Sequence, residues 1–279
     1  MNRDTRVTLA QQTLEILNSG HYVTATGHSV DVRDTIQNSI QNTILYRPSD
    51  FPAELAAEKK FDEVKIEVTA ETSLEASARI IEKNADSNPL CLNFASAKNP
   101  GGGFLNGSQA QEESLARSSG LYASLLSQME MYSHNRHERS CLYSDHMIYS
   151  PNVPVFRNDD GALLENPFNV SFITAPAANA GAIKKNEPQN VKFIQSTMNT
   201  RLRKLLWVAA QHSHPTLILG AWGCGVFQNN PTVVANLFAE TLGEGGEFYG
   251  CFEKIVYAVF DRTTEQETLR AFQNTFFVH

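Results

Sequence analysis

Asn99-Pro100-Gly101-Gly102-Gly103-Phe104, followed after the seven residues 104–110 by Gln111-Glu112-Glu113, is the stretch from which the fold can be read. An apolar run, Leu90 to Ala95, precedes it with the length and composition of a buried strand. A helical pattern, Ser114 to Met129, follows. Three consecutive glycines let backbone N–H groups approach a ligand that any Cβ would block, and two adjacent carboxylates at a helix start offer acid/base chemistry beside it. A plain structural reading exists as well. Acidic residues in a first helical turn complement the dipole, and Ser108 with Gln111 fits a capping box that needs no ligand.

A second cluster, Gly220-Ala221-Trp222-Gly223-Cys224-Gly225-Val226-Phe227, shifts the balance toward a ligand. It again follows an apolar strand, Thr216 to Leu219, and precedes a helix signalled by Asn229-Asn230-Pro231, a cap and an N1 proline. Val233, Val234, Leu237 and Phe238 would form that helix's apolar face. Two strand-to-helix glycine loops make a two-sided clamp for a diphosphate, held by turn amides and helix N-termini. No Gly-Lys-Ser or Gly-Lys-Thr follows either loop, which disfavours nucleoside triphosphate hydrolysis. Neither loop reads as a dinucleotide fingerprint with an acidic residue about 20 positions on.

Working outward, Val7 to Leu17 reads as a helix, Tyr22 to Val32 as a hairpin around Gly27, and Val64 to Val68 as a half-buried strand. Thr72-Ser73-Leu74-Glu75 is a capping box opening a helix to about Lys83. Ser171 to Thr174 is a strand and Arg201 to Gln211 a helix; Ile255 to Phe260 is a buried strand, followed by a helix from Glu265 to about Phe272. Strands alternating with helices predict an α/β sandwich around a central sheet. Such sheets bind ligands beyond the carboxyl ends of their strands, where both glycine loops fall.

Composition fits one globular enzyme domain spanning 1–279: 42% of residues are hydrophobic, and no linker, repeat or low-complexity tract divides the chain. The net charge of -7 argues against nonspecific nucleic-acid binding, so an anionic ligand must be held locally. Cys91, Cys141, Cys224 and Cys251 form no C-x-x-C pair and read as reduced thiols, Cys224 as a small residue in a crowded turn. His134 with His137, and His212 with His214, lack a third ligand, so no metal site is expected. With no apolar leader region at the N-terminus and no stretch long enough to span a bilayer, a cytoplasmic protein is expected.

The sequence resembles the bacterial-type poly(ADP-ribose) glycohydrolases, a branch of the macrodomain superfamily marked by three glycines, a short variable run and Gln-Glu-Glu. The resemblance extends through Leu92 to Ala97, Ser114 to Ser119, Tyr149 to Arg157, Thr174-Ala175-Pro176 and the Gly220 to Phe227 loop. Pro176-Ala177-Ala178-Asn179 departs from the Pro-Ala-Pro-Asn of the family pattern. The resemblance implies a macrodomain-like three-layer sandwich with a mixed central sheet, and an N-terminal extension of about residues 1–70 packed on the core. It implies Glu113 as the catalytic acid/base, Glu112 on substrate ribose hydroxyls, Gln111 holding the loop and its ligand, and Asn99 near the reacting ribose. Gly101, Gly102, Gly103 and Phe104 would line the site. Gly223, Cys224, Gly225 and Val226 would offer amides to the diphosphate, and Phe227 would pack on the distal ribose. Phe104, Phe156 and several tyrosines are candidates to stack on adenine.

The implied activity is exo-type hydrolysis of the ribose–ribose O-glycosidic bond of poly(ADP-ribose), releasing ADP-ribose, without cofactor, DNA or membrane, by a monomer. Hydrolysis of mono-ADP-ribosylated protein is the first alternative. A non-catalytic ADP-ribose reader is the second, and the carboxylate pair argues against it. A neutral acid is required when substrate binds. The helix N-terminus opposes that state, whereas the neighbouring carboxylate and a bound diphosphate favour it.

Overall fold

The computed structural model describes residues 1–277; the last two residues of the expected 1–279 domain lie outside the described residues. The chain opens with α1 (Arg3–Ser19), whose first turn is capped by the Asn2 side chain and whose end is closed by Gly20 at φ 75°. The hairpin β1 (His21–Val23) and β2 (Ser29–Asp31) turns at Gly27, φ 85°, as its sequence predicts. Next come α2 (Arg33–Gln41), β3 (Ile44–Tyr46) and β4 (Lys65–Thr69). The Thr72/Glu75 capping box is formed at the start of α3 (Ser73–Lys83), which leads into β5 (Pro89–Phe94).

The single helix expected over Ser114 to Met129 is three: α4 (Gln111–Ser118), α5 (Leu121–Leu126) and α6 (Met129–His137). The break falls where Ser119 bridges to Val155 and the Gly120 N–H donates to the Pro154 carbonyl at 2.9 Å. Pairing with a strand diverts these backbone groups from the helical ladder, which local sequence does not announce. That strand, β6 (Met147–Arg157), and the full length of β7 (Leu163–Ala175) exceed the expectation, which placed only Ser171 to Thr174 in a strand. The remaining elements are α7 (Ala180–Asn186), α8 (Ile194–Gln211), β8 (Thr216–Leu219), α9 (Pro231–Leu242), β9 (Lys254–Ala258) and α10 (Glu267–Phe277).

Seven strands form one mixed sheet in the order β3-β6-β7-β5-β8-β9-β4. Its centre is parallel, β5 lying between β7 and β8, whereas β3, β6 and β7 pair antiparallel. Strand alternation sorts the core into two faces. Leu90, Leu92, Leu217, Leu219, Ile255 and Tyr257 pack with α8, α9 and α10. Cys91, Ile218 and Val256 pack with α3, α4, α5 and α6. The result is a three-layer sandwich, helices on both faces of the sheet. The first 70 residues do more than pack on this core: β3 and β4 are its two edge strands.

Candidate functional site

β5 and β8 are neighbours and parallel, so their carboxyl ends deliver the two glycine loops side by side. The second loop begins where Gly220 faces the Phe94 ring at the end of β5 and the Ala258 carbonyl at the end of β9, a contact that excludes any Cβ. In the first loop Gly101 and Gly102 hold φ of 67° and 60°, the left-handed region that favours glycine. The turn is closed by Gly102 N–H donating to Asn99 O at 3.0 Å. Asn99 itself is exposed at the rim.

The Ser108/Gln111 capping box does not form; Ala110 occupies the cap position of α4 without a side-chain bond. Gln111 has a longer reach. Its Oε1 accepts from Phe94 N–H at 2.8 Å, and its Nε2 donates to Leu92 O at 2.7 Å and Ser73 Oγ at 3.0 Å. This one amide ties the helix bearing the carboxylates to the strand end and to α3.

Glu112 and Glu113 leave the helix in different directions yet meet at one place. A Cβ on Gly102 would clash with the Glu113 carboxyl and lie 3.1 Å from Glu112 Oε2. Glu113 is half-buried, its Oε1 accepting from Gly103 N–H at 3.0 Å. Glu112 is buried, 3% exposed; Oε2 accepts from Ser96 N–H at 2.6 Å and Oε1 from Asn93 Nδ2 at 3.4 Å. Burial pushes its carboxyl up to about 8, with the Glu113 charge adding to the rise and the Ser96, Asn93 and Gly101 donors opposing it. Desolvation therefore favours the neutral form of Glu112 and is a larger influence on it than the neighbouring carboxylate.

In the second loop Gly223 sits at φ 72° against Ala177 and the Asn229 amide, which donates to Ala178 O at 2.8 Å and Gly223 O at 3.1 Å. The Cys224 N–H is committed to Ala221 O at 3.0 Å and is not free for a ligand, a correction to its expected role. The N–H groups of Gly223, Gly225 and Val226 donate to no neighbouring group among the described residues. Burial pushes the Cys224 thiol up to about 12, which removes it as a nucleophile. Gly225 faces open space, Val226 is 80% exposed, and the half-buried Phe227 ring lies 6.0 Å from that of Tyr143.

Two candidates for adenine stacking are corrected. Phe104 is 1% exposed beneath Gly101, edge-on to Tyr122, and Phe156 is fully buried against Tyr22. Their rings build the core that holds the loop. Val233, expected on the apolar face of α9, is 40% exposed, while Val234, Leu237 and Phe238 are buried. Sequence reasoning places Asn93 and Thr174 within the resemblance without giving either a role, leaves Tyr143 among unspecified tyrosines, and does not single out Lys98. Asn93 Nδ2 joins Glu112 to Thr174 Oγ1, 3.1 Å away, and Lys98 Nζ lies 6.0 Å from the Tyr143 ring centre. An asparagine inside the apolar run Leu90 to Ala95 was the readable signal for the first.

Elsewhere, a cleft of about 280 Å³ lined by Lys60, His214 and Cys251 lies at the amino ends of β8 and β9 and shares no residue with this site. No group of three or more His, Cys, Asp or Glu side chains arranged for a metal occurs among the described residues.

Residues 10–158 match the family model described as microbial-type PARG, catalytic domain. The structure is similar to that of poly(ADP-ribose) glycohydrolase from Thermomonospora curvata, at 44% identity and TM-score 0.93, covering 98% of this chain and 100% of that one. The same enzyme bound to the inhibitor ADP-HPD matches at 45% identity and TM-score 0.92, with the same coverage. The poly(ADP-ribose) glycohydrolase of Deinococcus radiodurans in complex with ADP-ribose matches at 46% identity and TM-score 0.81, covering 87% of this chain and 97% of that one. No match was found among curated proteins.

Proposed function

The chain belongs to the microbial-type poly(ADP-ribose) glycohydrolase catalytic-domain family, and from that premise we propose that it hydrolyses ribose–ribose bonds of poly(ADP-ribose) from the chain end, releasing ADP-ribose. One observation carries the assignment of the chemistry: two carboxyl groups, one buried and one half-buried, converge on Gly102 at the tip of the triple-glycine turn. Cleavage passes through an oxocarbenium-like centre at the anomeric carbon, with the leaving oxygen taking up a proton and water delivering the replacement oxygen. Glu113, the more accessible carboxyl, gives its proton to the leaving ribose oxygen and then takes one from the attacking water. Glu112, beneath it, orients ribose hydroxyls. Asn99 contacts the ribose at the rim.

The diphosphate is assigned to the second loop, where Gly223, Gly225 and Val226 have N–H groups to give and Gly225 leaves room. Phe227 packs on the distal ribose. For the base, Phe260 replaces the buried rings: it is 48% exposed just beyond β9, whose last residue, Ala258, touches Gly220. The layered fold with both loops at the carboxyl edge supports the macrodomain label. The four free thiols support placement in the cytoplasm, and no helix among the described residues is long and apolar enough to cross a membrane.

The test is release of ADP-ribose from automodified poly(ADP-ribose) polymerase and from an arginine-mono-ADP-ribosylated protein, with Glu113→Gln alongside. Loss of polymer alone supports the proposal, and release from the mono-modified protein alone transfers the assignment to single marks. Binding of ADP-ribose with neither substrate cleaved makes the protein a reader. In Glu113→Gln, kcat on polymer falls by about 10² to 10⁴ while ADP-ribose affinity is kept; undiminished turnover would remove Glu113 from the mechanism.

A further inference from the structure

Two arginines of this chain are fully buried, and they are treated differently by the fold. Arg201, 0% exposed, donates to Asp145 Oδ1 at 2.9 Å and to the carbonyls of Pro176, Leu142 and Tyr143 at 2.8, 3.0 and 3.1 Å. Arg157, 1% exposed, has no such set. Its Nε–H meets no acceptor among the described residues, and Nη1 and Nη2 reach only Leu9 O and Gln12 Oε1, each at 3.5 Å, the outer limit of a hydrogen bond. No carboxylate pairs with it among the described residues; the charge that acts on it is a like one, Arg117. Burial and then that repulsion pull the Arg157 guanidinium down to about 10.

Arg117 is buried as well, 4% exposed. It donates to Ser108 O at 2.9 Å and to Gln109 Oε1, both neutral acceptors; the Glu113 and Asp159 carboxylates and the Arg6 charge act on it, but no ion pair forms with it among the described residues. The Arg157 guanidinium lies against α1, whose Leu9 O receives it, and the backbone carbonyl of Arg117 accepts from the Thr13 hydroxyl of the same helix at 2.6 Å. Buried charges in proteins are paired or coordinated, and five N–H donors in a rigid fork need acceptors. We propose that Arg157 and Arg117, beneath α1, form a binding site for a small monovalent inorganic anion of chloride size.

The chemistry of the occupant follows from the enclosure. Arg157 and Arg117 are themselves 1% and 4% exposed, so a phosphate carried on a polymer or nucleotide has no path to them. A halide has no directional demand and accepts several N–H groups at once. Bound there, it would tie α1 to the 104–110 segment that Arg117 holds, one turn beyond Glu113 on α4. The argument for this site does not depend on the glycohydrolase reading.

The direct experiment is diffraction at the bromine edge from crystals of the full chain grown in sodium bromide. An anomalous peak between the two guanidinium groups is expected; ordered water there without anomalous signal overturns the site. In parallel, the unaltered protein is melted in sodium chloride and in sodium gluconate at equal ionic strength. Chloride at a hundred times its dissociation constant raises the midpoint by about 5 °C over gluconate, and Arg157→Met abolishes the difference. Equal midpoints in the two salts, or a halide shift that survives in Arg157→Met, refute the proposal. Should that variant not fold, the bromide peak in the unaltered chain decides.

Discussion

At the scale of single residues, the fold alters the chemistry of Glu112 strongly. Its ordinary carboxyl value lies near 4.5, and burial raises it to about 8. Between those values the native state holds one proton more than the unfolded chain, so stability falls as pH rises, by about 1.4 kcal/mol per pH unit for a single proton. The stabilising difference is complete below the unfolded value and lost as pH passes the folded one. Glu112→Gln removes the titration. Urea unfolding from pH 5 to pH 9 should show the wild-type slope flattened in the variant, and the same slope in both would mean that Glu112 is ionised in the native state. Adjacent helical residues point about 100° apart, which foretells different roles for Glu112 and Glu113. That one is buried and the other half-exposed follows from Ser96, Asn93 and the sheet behind them.

At the scale of elements, the Gln-Glu-Glu run is positioned by a strand–helix junction rather than by a cap. Gln111→Leu leaves the Phe94 N–H and Leu92 carbonyl without their partner, which costs about 1–3 kcal/mol for each buried group left unsatisfied. Thermal unfolding of that variant should drop by several degrees together with activity, and an unchanged midpoint would return Gln111 to a purely ligand-directed role. The two glycine loops answer substitution differently. Gly102→Val drives a side chain into both carboxyls from a left-handed backbone, so it disturbs the catalytic groups themselves as well as the ligand. Gly225→Val meets nothing within 4 Å. It should keep the wild-type melting temperature and weaken ADP-ribose binding by tenfold or more, about 1.4 kcal/mol, as read by calorimetry. Wild-type affinity in Gly225→Val would take the diphosphate away from that loop.

At the scale of the whole molecule, the sheet binds the first 70 residues into the folding unit. β3 pairs with β6 at one edge and β4 with β9 at the other. A chain beginning at residue 71 exposes both flanks and loses the α1 contacts, among them Arg6 Nε donating to Gly107 O at 2.7 Å. It should show no cooperative thermal transition by circular dichroism. A sharp transition near the full-length midpoint would make residues 1–70 a separable extension. The buried Arg201 network ties α8 to residues 142–145 and 176, and Arg201→Met leaves Asp145 short of one partner while Lys204, 2.7 Å away, remains. Differential scanning calorimetry should register a loss of about 1–3 kcal/mol for each buried carbonyl left without its donor.

By itself the sequence determined the alternation of strands and helices, both glycine loops, the caps of α3 and α9, and the carboxylate pair, because each rests on periodicity or on a local backbone requirement. It also carried enough of the motif to identify the family. The tertiary structure alone decided three things. The break between α4 and α5 arises from pairing with β6, more than thirty positions away. The partners of Gln111 are atoms of β5 and α3 brought to it by the packed fold, not the neighbours its spacing offered. The protonation of Glu112 depends on which carboxyl the sheet buries, and desolvation is a property of the packed interior rather than of any residue's neighbours in sequence.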